Sequence, residues 1–210
     1  MATKNRALMQ SLLDREGRTY AAEAGIRLRN TPAPLYQLLV LSHLLSARIK
    51  ADIAVASARA LFDAGMRDAR RMSRAGWQQR VDALGKGGYR RYDERTATQL
   101  GEAAEFLQRE YKGDLRRMRE AGDPRKLLRE LPGIGPTGVN IFFREVQGVW
   151  PEFAPYLDEK ALQGAQRLGL PKTPETLERL VDTAELPKLA AGLVRVALDD
   201  EAAHAVRDAA

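Results

Sequence analysis

Two glycines set two residues apart in LPGIGPTGVNIFFREV (residues 131–146) constrain the fold of this chain more than any other feature. Gly133 and Gly135 allow the backbone to reverse within a few residues and allow another group to approach it closely. Pro136 suits the first position of a helix, where its missing N–H is not needed. An apolar run with helical spacing follows. The segment therefore predicts a tight turn that opens directly into a helix.

An anion is the ligand that such a helix start is suited to bind. The first N–H groups of a helix have no partner within it, and the helix dipole is positive at that end. The chain carries a formal net charge of +6, which favours a polyanionic partner, with nucleic acid ahead of an anionic membrane. From the turn alone two interpretations stay open: a phosphate-binding turn, or a helix–turn–helix corner in which the glycines serve packing only.

The rest of the chain shows the helical period. Residues 35–47 are apolar on nearly every side, which predicts a buried central helix. Leu100, Ala104 and Leu107 form one apolar stripe, and no convincing alternating pattern indicates a strand. The helix after the glycine turn is interrupted at GVWP (148–151), and a new helix is expected to start at Asp158. The sequence therefore predicts an all-α fold.

Composition excludes several classes of site. The sequence contains no cysteine, so it can form no disulfide and has no thiolate ligands for a zinc site or an iron–sulfur cluster. Its two histidines, His43 and His204, lie far apart, and His43 falls inside an apolar helix, as a core or groove residue would. No apolar stretch is long enough to span a bilayer, and the N-terminus lacks a signal-peptide core. We expect a cytoplasmic protein, associated with the nucleoid if the source is prokaryotic.

Several segments together resemble the helix-hairpin-helix DNA glycosylase superfamily, of which endonuclease III is a familiar member. The hairpin sequence LPGIG is followed about twenty residues later by an aspartate, as in that family. The resemblance covers most of residues 31–198. It extends to three further segments: PLYQLLVLSHLLSARIKADIA (34–54), similar to an early buried helix and its LLSAQ-type loop; GYRRYDERTATQL (88–100), placed like a GLYNSKA-type loop; and LPKLAAGLVRVAL (186–198), similar to the last shared helix.

The resemblance implies a two-domain α-helical architecture with a cleft between the domains that receives double-stranded DNA. A six-helix domain over residues 31–151 would contain the hairpin, and residues 1–30 would pack with 152–210 to form the second domain. In the family, hairpin amides hold a DNA phosphate, often with a monovalent cation on the turn carbonyls. No metal site built from side chains and no cofactor is expected.

Two departures from the family pattern bear on activity. Endonuclease III-like enzymes carry a four-cysteine iron–sulfur cluster, for which this sequence has no ligands. Members that also cleave the DNA strand have a lysine two residues after the second glycine, where this chain has Thr137. A hydroxyl cannot form the imine that the lysine forms with the sugar. Base removal without lyase activity is therefore favoured. Pro136 stands where a basic residue is common, which removes a cation and an N–H from the phosphate site.

Asp158 matches the position of the family's catalytic aspartate, with Glu159 as the second choice. Breaking an N-glycosidic bond builds positive charge on the deoxyribose, and a nearby carboxylate stabilises that charge and orients or deprotonates water. Spacing alone leaves another interpretation open, because aspartate is also a preferred residue immediately before a helix and stabilises it by ~1 kcal/mol.

DNA contacts are expected from residues around these two features. A base must leave the stack before the chemistry, so side chains are needed to fill the gap and to hold the base. The candidates for the wedge or pocket are Arg48, Tyr89 and Tyr156, with Arg90 as an alternative wedge. The candidates for phosphate binding are Gly133, Gly135, Thr137, Lys50, Arg90, Arg91 and Arg95.

The sequence thus favours a monomeric, monofunctional DNA glycosylase that acts on a damaged or mispaired base in double-stranded DNA. Two alternatives stay open. One is a catalytically inactive DNA-binding protein that keeps the hairpin. The other is a bifunctional glycosylase and lyase that uses another lysine, such as Lys160.

Overall fold

A computed structural model describes residues 2–210 of the chain, with side chains from residue 5 onward, and in this range it contains helices and no strands. The all-α class predicted from the sequence is confirmed. The described part of the chain forms fourteen α-helices: α1 (Ala2–Glu16), α2 (Tyr20–Glu23), α3 (Pro32–Ser46), α4 (Ala51–Asp63), α5 (Ala69–Arg74), α6 (Trp77–Lys86), α7 (Asp93–Tyr111), α8 (Leu115–Ala121), α9 (Pro124–Leu127), α10 (Pro136–Val146), α11 (Glu159–Leu168), α12 (Pro174–Glu178), α13 (Leu186–Leu198) and α14 (Asp200–Asp208). Short 3-10 turns occupy Leu128–Glu130, Pro151–Phe153 and Thr183–Glu185.

The chain divides into two compact units. One is Ala21–Phe142, and the other joins the segment up to Tyr20 with Phe143–Ala210. The sequence predicts boundaries at residues 31 and 151 instead. The difference at the second boundary arises inside α10, which begins in one unit and ends in the other. The amino-acid sequence of a continuous helix does not mark a boundary between two units. Between residues 31 and 151 the structure has six α-helices of seven or more residues and two shorter ones.

Helix α3 forms the centre of the unit Ala21–Phe142. Its side chains are buried on all sides, with Leu35, Leu41 and Leu44 fully enclosed, so the buried helix predicted over 35–47 is present. Helix α4 packs against α3 and also against α6, and α7 packs against both α5 and α6. The buried guanidinium of Arg80 donates to the carbonyls of Ala97, Met72 and Ala75, which ties α7 to the end of α5.

Helices α1, α11, α13 and α14 surround the core of the other unit. Helices α11 and α13 cross very closely, because a Cβ atom at Gly164 would lie 1.9 Å from the carbonyl oxygen of Leu193. Only glycine fits at that crossing. Leu157, Ala161, Ala165 and Leu168 bury the inner face of α11 in the same core. The start of α11, where Asp158 lies, is therefore held on a rigid support.

Candidate functional site

The glycine segment forms a tight turn that opens into α10. The N–H of Ile134 donates to the carbonyl of Leu131 at 3.1 Å, which closes the turn. The carbonyl of Gly135 accepts from the N–H of Val139 at 3.1 Å, so Gly135 is the residue that precedes the helix and Pro136 is its first residue, as predicted. The next N–H groups, those of Thr137 and Gly138, belong to the first turn and have no carbonyl within the helix to pair with. This geometry is suited to an anion.

The two glycines serve different purposes. Gly133 has φ +81°, and a Cβ there would lie 2.4 Å from Cε1 of His43 and 2.9 Å from Oε1 of Gln99. Gly133 is thus required by the fold. Gly135 has φ outside the left-handed region, and a Cβ there would meet no atom within 4 Å. Packing therefore explains Gly133 and does not explain Gly135, whose open side is available to an approaching group.

A cavity of about 350 Å³ lies beside Gly133, within the unit Ala21–Phe142. It brings together Arg48 from the segment 34–54 with Tyr89 and Arg95 from the segment 88–100, all three of which are candidates from the sequence. Its lining is His43, Ser46, Ala47, Arg48, Tyr89, Tyr92, Arg95, Thr96, Gln99 and Gly133. The two arginines are exposed, and the tyrosines supply flat apolar surface. The cavity thus combines positive charge with aromatic walls, a combination suited to nucleotides.

His43 forms the inner wall of this cavity under the hairpin. The residue is 5% exposed, and burial lowers the pKa of its imidazole to about 4, so the imidazole is neutral at physiological pH. Its Nε2 lies 3.3 Å from Oε1 of Gln99. His43 is therefore a packing residue that supports Gly133, in agreement with the core or groove position expected from the sequence.

The remaining candidates near the cavity differ in exposure. Tyr89 is only 1% exposed and belongs to the core, so its position suits the wall of a pocket better than an inserting wedge, and its role in DNA binding stays a prediction. It can still line the pocket. Arg90, Arg91 and Lys50 are exposed and lie outside the cavity lining. The guanidinium of Arg91 covers the ring of Tyr92 at 5.2 Å.

Asp158 precedes α11 and makes a buried ion pair that the sequence analysis did not foresee. Its Oδ1 accepts from the N–H of Ala161 at 3.2 Å, as expected for a residue that caps a helix. Arg144, in the last turn of α10, donates from Nε to Oδ1 at 3.0 Å and from Nη2 to Oδ2 at 2.6 Å. The two side chains are 11% and 8% exposed, respectively. One arginine thus orients the carboxylate and places a positive charge directly beside it.

Gln147 holds the loop that leads to Asp158. Its side-chain amide accepts from the backbone N–H of Tyr156 at 2.8 Å and donates to the carbonyl of the same residue at 3.1 Å. The ring of Tyr156 packs against Phe143, with centroids 5.2 Å apart. Arg144 in the last turn of α10 and Gln147 just after its end are polar residues in a largely apolar stretch, which is the sequence signal that could have identified them.

The two alternatives next to Asp158 lie in less constrained surroundings. Glu159 is exposed, and its Oε1 lies 3.5 Å from Nε2 of Gln163. The Nζ of Lys160 donates to Oε1 of the same glutamine at 2.8 Å on the exposed side of α11. Among the residues that the structure describes, no arginine orients Glu159, so Asp158 is the better-defined carboxylate.

No protein-family model and no curated protein matches the sequence. Two solved structures of endonuclease III with DNA do match the structure. The chain has an endonuclease III-like fold. One of these structures is a trapped covalent intermediate, an estranged-adenine complex, with 16% identity and a TM-score of 0.52. The other is a non-covalent DNA complex, with 17% identity and a TM-score of 0.53. Each match covers 90% of this chain and 84% of the endonuclease III chain. This likeness confirms the fold predicted from the hairpin.

This chain has no thiolate ligands for an iron–sulfur cluster, because its sequence contains no cysteine. Among the described residues no group of three or more histidines, aspartates or glutamates is placed to hold a metal ion. In that same range, none of the helices combines the length and the apolar character needed to cross a bilayer.

Proposed function

We propose that the chain is a DNA glycosylase that removes a damaged or mispaired base from double-stranded DNA and leaves the strand intact. The observation that carries the proposal is Asp158, a carboxylate fixed in one orientation at the start of α11 in an endonuclease III-like fold. The hairpin and the basic cavity support the same function, since both are suited to phosphates and nucleotides.

In this mechanism the target base leaves the stack, and the C1′–N bond breaks with its electron pair leaving on the base. Positive charge then develops on the deoxyribose, and the carboxylate of Asp158 stabilises it and orients a water molecule. The oxygen of that water bonds to C1′, its proton passes to the carboxylate or to solvent, and the departing base takes up a proton from solvent. The products are the free base and an abasic site.

Thr137 is the reason to propose base release without strand cleavage. Its hydroxyl, exposed at the start of α10, cannot form an imine with the opened sugar. Lys160 is the alternative nucleophile nearest to Asp158, but its amine is engaged by Gln163. The hairpin amides at Gly135 and Thr137 are proposed to hold a phosphate, with a monovalent cation on the turn carbonyls. We propose a monomer that works in the cytoplasm.

A second candidate function, DNA binding without catalysis, is favoured by the burial of Asp158. The carboxylate is 8% exposed and shares its charge with Arg144, so it stabilises positive charge on a sugar less well than a free carboxylate would. In this case the hairpin and the cavity would bind DNA, and no base would be released.

A panel of fluorescent duplexes, each carrying one lesion or mispair, separates these functions. The panel should include uracil, an alkylated purine, an oxidised pyrimidine and mispaired adenine. The proposed glycosylase gives strand breaks only after treatment with alkali. Breaks without alkali would indicate lyase activity, and binding without release from any duplex would indicate the non-catalytic function.

A further inference from the structure

We propose that Arg144 is a positioning residue for Asp158, and that it leaves a single oxygen lone pair of the carboxylate to hold the reacting water. This inference rests on the proposed function. It concerns a residue that neither the hairpin motif nor the aspartate spacing identifies. Both partners lie in the same compact unit, so the geometry belongs to one packed core.

The inference starts from the number of hydrogen bonds that the carboxylate accepts. A carboxylate offers roughly four lone-pair positions, two on each oxygen. Oδ1 accepts from Nε of Arg144 and from the N–H of Ala161, which fills it. Oδ2 accepts from Nη2 of Arg144. Within the described part of the chain these are the only hydrogen bonds to the side-chain carboxylate of Asp158, so the remaining position is on Oδ2.

The arginine fixes this arrangement in a way that a lysine would not. A guanidinium is planar and donates two parallel hydrogen bonds to a carboxylate, which sets the plane of the carboxylate as well as its distance. The arginine also cancels much of the negative charge. Asp158 is therefore expected to act chiefly by orienting water at Oδ2, and less by its net charge.

The support behind the pair is itself rigid. Arg144 lies in α10, and its backbone carbonyl accepts from Nε2 of Gln147 at 2.7 Å. The same amide holds both backbone groups of Tyr156, two residues before the aspartate. Arg144 in the last turn of α10 and Gln147 just after it thus fix the carboxylate of Asp158 and the peptide that leads to it, as a preorganised site requires.

The test compares Arg144→Gln and Arg144→Lys with a matched control, Arg167→Gln. Arg167 lies on α11 in the same unit and pairs with Asp200, so the control removes an arginine without touching Asp158. Single-turnover base release is measured on the best duplex of the panel, together with DNA affinity. We expect Arg144→Gln to slow release roughly tenfold to hundredfold while the Kd stays unchanged. Arg144→Lys should recover part of the rate, and Arg167→Gln should match wild type.

A second readout does not depend on activity. Hydrogen exchange of the Ala161 amide reports its hydrogen bond to Oδ1 of Asp158. We expect this amide to exchange faster in Arg144→Gln than in the wild type, and to exchange at the wild-type rate in Arg167→Gln. Wild-type or faster base release by a folded Arg144→Gln would overturn the inference, as would unchanged exchange at Ala161. If the wild type releases no base at all, the proposed function fails, while the exchange experiment still tests whether Arg144 holds Asp158.

Discussion

Replacing each hairpin glycine by alanine should separate folding from DNA binding. At Gly133, alanine would have to adopt φ +81° and would place Cβ 2.4–2.5 Å from the ring of His43. The left-handed conformation costs about 1–2 kcal/mol, and overpacking costs about 1–3 kcal/mol, so we expect a loss of about 3 kcal/mol in the free energy of unfolding. Urea unfolding followed by circular dichroism measures this loss.

Gly135→Ala should leave the fold nearly intact, because its Cβ would meet no atom within 4 Å. Alanine is a poorer residue before a helix than glycine, but it also reduces the entropy of the unfolded chain, so we expect a change below about 1 kcal/mol. If a DNA phosphate approaches that open side, the methyl group should weaken binding to all sequences alike. The slope of log affinity against log salt should stay close to that of the wild type, because the substitution removes no positive charge.

Fluorescence anisotropy at several salt concentrations tests the effect on binding. The prediction fails if Gly135→Ala is folded and binds DNA with the affinity of the wild type at every salt concentration, since the turn would then not hold a phosphate. The prediction for Gly133→Ala fails if that variant unfolds at the same urea concentration as the wild type, because the contact with His43 would then not constrain that position.

Two further predictions concern single residues. Thr137→Lys places an amine where the strand-cleaving helix-hairpin-helix DNA glycosylases have their lysine nucleophile. It should make an imine with an abasic site that borohydride traps, whereas Thr137→Val should give no trapped product. His43, with its pKa lowered from 6.5 to about 4, remains neutral in the folded chain while the unfolded chain takes up a proton. The stability of the wild type relative to His43→Gln should therefore fall by about 3 kcal/mol between about pH 7.5 and about pH 4, and a constant difference in urea unfolding would refute the shift.

Local sequence patterns predicted the parts of this fold that depend on neighbouring residues. Pro136 marked the start of α10 because its ring and missing N–H suit only that position. Asp158 marked the start of α11 because its side chain can pair with the N–H three residues later. The all-round apolar character of residues 35–47 identified α3 as the buried centre of its unit.

Contacts between distant segments could not be read in the same way. The pairing of Arg144 with Asp158 depends on how the loop after α10 returns to it, and a sequence shows neither the path of the loop nor a partner for an arginine. Tyr89 looked like a loop residue available to DNA, whereas the packing around it encloses its ring. Packing requires glycine at position 133 and not at position 135. That difference likewise depends on His43, which lies about ninety residues earlier in the chain.

Base release by Asp158→Asn, measured beside the wild type under single-turnover conditions with and without alkali, tests the central claim most directly. Asparagine keeps the size of the side chain and an oxygen for the N–H of Ala161, and it loses the negative charge and the capacity to accept a proton. We expect the wild type to release one base of the panel, and we expect Asp158→Asn to bind the same duplex and release none. Release by Asp158→Asn at the wild-type rate would contradict the role given to this carboxylate.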